Sequence, residues 1–306
     1  MHCTLANGKS SISPKGGAAY AARFADGRLH LQHGPIDLII EAWGERSEVE
    51  SSYRQAIARF GDILEVLVQE LPQLRAPLAA AYPSLHGPVA RRMLAACWPY
   101  RAVYITPMAA VAGAVADEIL QALLIGRDLR KAYVNNGGDI SLHLAERDVL
   151  TLGVVNDADN PAIDATLKLN ARMPVRGVAT SGWRGRSQSL GIADAVTILA
   201  TDAAAADAAA TMVANAVDVR HPAIGRIPAR ALRADSDLGE LPVTVAVGPL
   251  PASARAEALT SGCERARGLQ QQGLIFAAYL ALQGEIRALL PAGTLIEQTQ
   301  CVTAGK

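Results

Sequence analysis

From Asp202 to Val217 nine of the sixteen residues are alanine, with Asp207, Thr211 and Met212 interspersed. Alanine has the highest helix propensity and almost no side-chain bulk, so this segment dictates a helix of thin profile that other elements can approach closely. A strand, Ala195 to Ala200, runs directly into it. The rest of the fold has to be built around that pair, and 306 residues of which 50% are hydrophobic are enough for a sizeable core.

Upstream, Ala19 to Phe24 and Arg28 to His33 flank Asp26-Gly27, a dipeptide that tolerates the positive φ of a tight hairpin, and Ile36 to Trp43 extends the pair into a meander. Ser47 to Leu71 has apolar residues at helical spacing, and Ser47 with Glu50 has capping-box spacing. Pro72, Pro77, Pro83 and Pro88 interrupt regular structure, so Gln73 to Gly87 reads as a linker or a packed arm before a helical stretch, Val89 to Ala96. Met108 to Leu124, with Gly113 and Ala114 inside it, reads as a buried helix ending near Gly126. Short strands follow at Lys131 to Val134, Ile140 to Leu144, Val149 to Val155, Ala165 to Ala171 and Gly177 to Thr180. Beyond the alanine helix come a strand at Val243 to Val247, a helix at Arg255 to Glu264 and a strand at Leu274 to Leu280. Groups of strands separated by helices predict an α+β fold, mostly antiparallel sheets packed with helices.

Lys plus Arg (29) balance Asp plus Glu (29), which disfavours a nucleic-acid binder driven by bulk positive charge. Cys3, Cys97, Cys263 and Cys301 form no CxxC pair, so neither a zinc knuckle nor a disulfide framework is expected, and a reducing, cytoplasmic setting is. Met1 to Lys15 is polar and no apolar run approaches the roughly 18 residues of a membrane span, so no leader and no membrane partner are expected. The six histidines make no HxxxH or HExxH spacing.

Three segments carry the candidate chemistry. Asn135-Asn136-Gly137-Gly138-Asp139 lies between two strands and is either a hairpin turn or a cradle that lets a phosphate approach main-chain N–H groups, with Asp139 fixing the turn or touching a ligand. Thr180-Ser181-Gly182-Trp183-Arg184-Gly185-Arg186 combines hydroxyls with two arginines: either a solvated basic loop, or a ligand segment in which Arg184 and Arg186 grip a phosphate or carboxylate. Ser181 as a hydrolase nucleophile has only its hydroxyl in favour, since GxSxG is absent. Asp207 and Thr211, four apart, put two hard oxygen donors on one helix face, as Mg²⁺ prefers; the alternative is a solvent-facing or back-bonded pair.

The order of these motifs, from the helix Met108 to Leu124 through Gly137-Gly138-Asp139, Thr180-Ser181-Gly182 and Val196 to Ala200 into Asp207 and Thr211, resembles the ApbE family of FAD:protein FMN transferases over about Pro107 to Val217. Ser187 to Thr197 is similar to an ApbE-like branch of unknown function. The resemblance implies an ApbE-like fold, with an N-terminal meander-and-helix part over 1–106 and a core over 107–306 within one domain. It also implies a flavin nucleotide, FAD, as substrate or ligand, cleaved or transferred at its diphosphate with Mg²⁺. Asp207 and Thr211 match the family's metal-binding side chains, and Asn136, Gly137, Gly138, Asp139, Thr180, Ser181 and Gly182 fall in its ligand segments. A protein acceptor and a homo-oligomer are further expectations. Two departures stand out: Val111-Ala112-Gly113 replaces Ala-Lys-Gly, and Leu190-Gly191-Ile192-Ala193-Asp194 replaces a His-Ile-Asp-Pro stretch. The competing class is a non-catalytic module that keeps the fold and binds an anionic metabolite. On the first reading Asp207 and Thr211 face one cleft with the glycine turn, and Arg184 and Arg186 point into it.

Overall fold

A computed structural model describes residues 4–6, 18–154, 165–291 and 297–298. Val155, His2, Cys3 and Cys301 lie outside the described residues. The chain divides into two compact units, the first comprising Met1–Asp148, Arg176–Val178 and Asp202–Asp207, the second Val149–Val175, Ala179–Thr201 and Ala208–Lys306.

The first unit opens with β1 (Thr4–Ala6), β2 (Tyr20–Arg23), β3 (Leu29–His33) and β4 (Ile36–Gly44). Helices α1 (Arg46–Phe60), α2 (Ile63–Gln69), α3 (Leu71–Leu74), α4 (Pro88–Cys97) and α5 (Val111–Leu124) follow, then β5 (Leu129–Asn136) and β6 (Asp139–Leu144). Strands β2 to β6 pair antiparallel in sequence order, although five helices intervene between β4 and β5. The pleat explains how: Leu29, Leu31, Leu38, Ile40, Ala132 and Val134 turn to one face and are fully buried. The helices return that burial with Tyr53, Ala56 and Phe60 of α1 and Ala116, Ile119 and Leu123 of α5. Each large side chain so buried contributes about 1.5–3 kcal/mol.

The predicted helix over Ser47 to Leu71 is two helices, because the chain relaxes at Gly61 and Asp62 before α2 begins. The capping box is corrected too. The helix starts at Arg46, so Ser47 is already inside it, and Glu50 is spent on a 2.8 Å ion pair with Arg23. Preceded by a 3₁₀ turn, Pro107–Ala110, α5 completes an 18-residue helical segment that is, by length and composition, long and apolar enough to cross a membrane, contrary to the expectation that no run reaches that length. More than half of it is buried, and its carboxylates Asp117 and Glu118 are buried with it.

The second unit contains β7 (Val149–Val154) and β8 (Ala165–Asn170), an antiparallel pair. Strand β9 (Gly177–Ser181) belongs to this unit from Ala179 on and is followed by β10 (Ala195–Ala200). Helix α6 (Ala203–Ala216) leads to β11 (Ile224–Pro228), α7 (Ala229–Leu232), β12 (Pro242–Val247) and α8 (Ala252–Gln271). The unit ends with β13 (Ala277–Leu282), β14 (Glu285–Leu289) and β15 (Glu297–Gln298). Antiparallel pairing joins β10 to β13, β13 to β14 and β11 to β12. All six residues of β10 and all six of β13 are buried, which is why they read as continuous apolar runs and not as alternating ones. The fold is α+β with mostly antiparallel sheets, as the sequence predicts.

Candidate functional site

The first unit brings its polar residues together where α5 and α6 start. Neither helix caps itself fully there. The buried Asp117 of α5 accepts from the amides of Ala203 (3.0 Å) and Ala204 (2.9 Å), the first residues of α6, and from the Ser141 hydroxyl of β6 at 2.5 Å. In return, Asp207 of α6 accepts from the amide of Gly113 in the first turn of α5 at 3.1 Å. The two carboxylates therefore satisfy each other's orphan amides and face the positive ends of each other's dipoles. Asp202 adds the ordinary local cap, accepting from Ala205 at 2.8 Å.

Such crossing demands close backbones. A Cβ on Gly113 would lie 2.2 Å from the Ala203 carbonyl oxygen, so glycine is the residue this approach permits. The alanines of α6 keep the other partner thin.

Next to this crossing lies the turn Asn136-Gly137-Gly138-Asp139. Asn136 pairs with Asp139, and both glycines have positive φ (66° and 116°), so the segment is a two-residue hairpin. Asn136 reaches back to α5, its Nδ2 donating to the Ala112 carbonyl at 3.1 Å. The Gly138 amide is spent on the Asn135 side chain at 2.8 Å, so the turn offers a ligand open space above Gly138 and not that N–H. Asp139 is buried and close enough to Asp207 for its charge to be felt. Desolvation first, then the Asp139 carboxylate, hold Asp207 well above the ordinary carboxylate range, against the pull of the Gly113 and Ala112 amides. Burial likewise raises Asp117. Thr211 lies one turn after Asp207 on α6, and both are half-buried.

The remaining predicted residues belong to the second unit. Thr180 Oγ1 is 2.8 Å from Thr197 Oγ1, a hydroxyl pair across β9 and β10. Ser181 is half-buried, and Gly182 is packed so tightly that a Cβ would lie 2.2 Å from the Asp194 carbonyl oxygen. Arg184 lies 4.6 Å over the Trp183 ring and its Nε is 3.3 Å from Asp194 Oδ1. Arg186 is exposed, and its carbonyl accepts from Arg233 at 3.3 Å. Asp194, which the motifs passed over, gathers this loop: it also accepts from Trp183 Nε1 at 3.2 Å and from the Gln283 amide at 2.5 Å. Asp117 was passed over as well, and its available signal is the pair of carboxylates, Asp117 and Glu118, within a mostly apolar helix.

Among the described residues no group of three His, Cys, Asp or Glu side chains converges on a metal position. A magnesium ion needs fewer protein ligands when phosphate and water supply the rest. Asp207 would suit that case, since a carboxylate pressed by the negative charge of Asp139 and Asp117 gains when a cation arrives.

A family model described as AbpE bacteria matches residues 21–288. A UPF0280 protein of Methanothrix thermoacetophila is 37% identical over 132 residues, 42% of this chain and 52% of the relative. Another from Methanothermobacter thermautotrophicus is 36% identical over 133 residues, 43% of this chain and 50% of the relative. The chain thus spans about half the length of the curated relatives it matches. Among solved structures, an ApbE protein from Thermotoga maritima aligns with 92% of this chain and 97% of its own at 13% identity and a TM-score of 0.44. The apo flavinyl transferase ApbE of Pseudomonas stutzeri aligns over 89% and 94% at 12% identity, TM-score 0.38.

Proposed function

The chain belongs to the AbpE bacteria family, and from that membership we propose that it binds a flavin nucleotide and cleaves or transfers it at the diphosphate. The observation that carries the reading is the crossed capping of α5 and α6, which fixes Asp207 beside Asp139 and the open glycine hairpin. Asp207, with Thr211 one turn on, would hold magnesium, which supplies compensation for the charge of the diphosphate and of the departing phosphate. In the transfer, an acceptor hydroxyl oxygen bonds to the phosphorus on the FMN side and releases its proton to solvent, the bond to the AMP oxygen breaks, and AMP departs with that oxygen. With water as acceptor the products are FMN and AMP.

This chain's residues contribute position. Asp117 ties α6 to α5 and, through Ser141, to the strand that begins at Asp139, so the two carboxylates near the reacting phosphates share one rigid frame. Gly138 leaves the approach to that frame unobstructed. Arg184 and Arg186 are the cations we assign to the anionic ligand in place of the lysine that Ala112 replaces.

A second reading, a binding module without transfer chemistry, is favoured by one observation: Arg184 is already paired with Asp194. Incubation of the purified protein with FAD and Mg²⁺, followed by chromatography, separates the two. FMN and AMP that disappear with chelator and in Asp207→Ala support the enzyme; tight FAD binding with FAD recovered intact supports the module.

A further inference from the structure

Between Glu70 and Asp117 the sequence contains no aspartate, glutamate or lysine, yet it holds Arg75, Arg91, Arg92 and Arg101 together with Tyr82, Trp98, Tyr100 and Tyr104. That is the composition of the centre of a protein interface, where Trp, Tyr and Arg are enriched and Lys, Glu and Asp depleted. The structure brings Tyr82, Trp98 and Arg101 of this stretch together on the surface of the first unit. The Tyr82 ring meets Trp98 edge-on with centroids 4.7 Å apart, and the Arg101 guanidinium lies 4.6 Å over the same indole while donating to the Trp98 carbonyl at 3.0 Å. The Leu78 amide donates to the Ile105 carbonyl at 2.9 Å, so the proline-rich arm runs beside the segment 98–105.

The arm is fastened, not loose. Leu74, Leu78 and Leu85 are buried beneath it, and the Glu70 carboxylate accepts from the amides of His86 (2.6 Å) and Gly87 (2.8 Å) at its end. Its outer side is apolar nonetheless: Tyr82 is 56% exposed and Val103 47%. A fixed aromatic ledge open to water has already met the ordering cost that binding otherwise imposes.

We propose that this ledge docks an acidic segment of a partner protein. The charge selects the partner. Arg92 is engaged with Glu118 and Gln121, but Arg91 and Arg101 are exposed on a stretch that supplies no carboxylate of its own. A second copy does not complement it, because a two-fold contact sets this stretch, which carries no carboxylate of its own, against itself. Nucleic acid would call for a cationic groove tracking many phosphates, whereas one guanidinium stacked on a rigid indole, on a stretch without carboxylates, suits a short peptide that brings a carboxylate and an apolar side chain. The proposal does not depend on the flavin-nucleotide reading.

Selection of random 12-residue displayed peptides on the folded protein tests it. The expected result is enrichment of sequences combining Asp or Glu with apolar residues. A synthetic peptide of the enriched sequence should then bind at least tenfold more weakly to Arg101→Glu and to Tyr82→Ala, both exposed positions, with the thermal midpoint unchanged. The proposal is overturned if the enriched peptides lack carboxylates or bind both variants as they bind wild type. It is equally overturned if sedimentation shows a dimer that either variant dissociates, or if oligo-dT or phosphatidylserine vesicles bind through Arg101 and the acidic peptide does not.

Discussion

The backbone of Gly113 faces the Ala203 carbonyl so closely that a methyl group added to the glycine would stand 2.2 Å from the oxygen and 2.7 Å from the Ala204 nitrogen. Both neighbours are main chain, so no side chain can swing away. Gly113→Ala is expected to separate the first turns of α5 and α6 and to cost about 3 kcal/mol or more, beyond the usual benefit of alanine in a helix. Denaturant unfolding of the variant measures this; a loss under 1 kcal/mol would show that the two helices can part freely.

At Asp117, the two substitutions should behave differently. Asp117→Ala leaves the amides of Ala203 and Ala204 without their acceptor, each worth about 1–3 kcal/mol when buried. Asp117→Asn keeps one carbonyl oxygen and should lose less. Urea titrations at one pH give the order.

The same carboxylate sets a pH dependence. Because burial raises its folded pKa above the unfolded value of about 3.9, the native state holds a proton that the unfolded chain has released, throughout the interval between the two values. Wild-type stability relative to Asp117→Asn should therefore fall as pH rises from 4 through that interval, by at most about 1.4 kcal/mol per pH unit. A gap that widens with pH would mean the folded pKa is depressed.

Asp207→Ala removes one cap from α5 but also a desolvated charge set against Asp139. Its stability should change by no more than about 1 kcal/mol, whereas Mg²⁺-dependent release of FMN and AMP from FAD should vanish. Activity that persists with the same metal requirement would remove Asp207 from the site.

For the arginine loop, Arg186→Ala should weaken FAD binding about tenfold, the equivalent of one charge-assisted hydrogen bond, and leave riboflavin binding unaltered. Arg184→Ala should do the same and in addition loosen the Trp183–Asp194 contacts it shares. Parallel titrations of both ligands decide; equal binding of FAD by wild type and variants makes this a solvent-facing loop.

Regular elements were legible where one period ruled. The alanine helix and the strand Ala195–Ala200 are found within a residue of their predicted bounds, because propensity, burial and boundary residues agree there. Helix α8 runs from Ala252 to Gln271, well past the predicted Arg255 to Glu264, and carries both Gly262 and Gly268 inside it. Gly262 is there because a Cβ would press on Val217 and Leu280 side chains, a demand of packing that no local window contains. Strands β11 and β14 were missed because their residues are half-buried or exposed and show no clean alternation. At the candidate site, Asp207 was legible as a polar break in an alanine run. Asp117 was not, because its partners Ala203 and Ala204 lie 86 and 87 residues downstream.

Those distances along the chain carry a consequence for synthesis. Helix α5 leaves the ribosome with its first-turn amides unanswered until Asp207, 94 residues beyond Gly113, has followed it. At about 5–20 residues per second that is an interval of about 5–20 s. During it a mostly apolar helix stands without the carboxylate that answers its first turn, so the frame around Asp207 closes only late in synthesis.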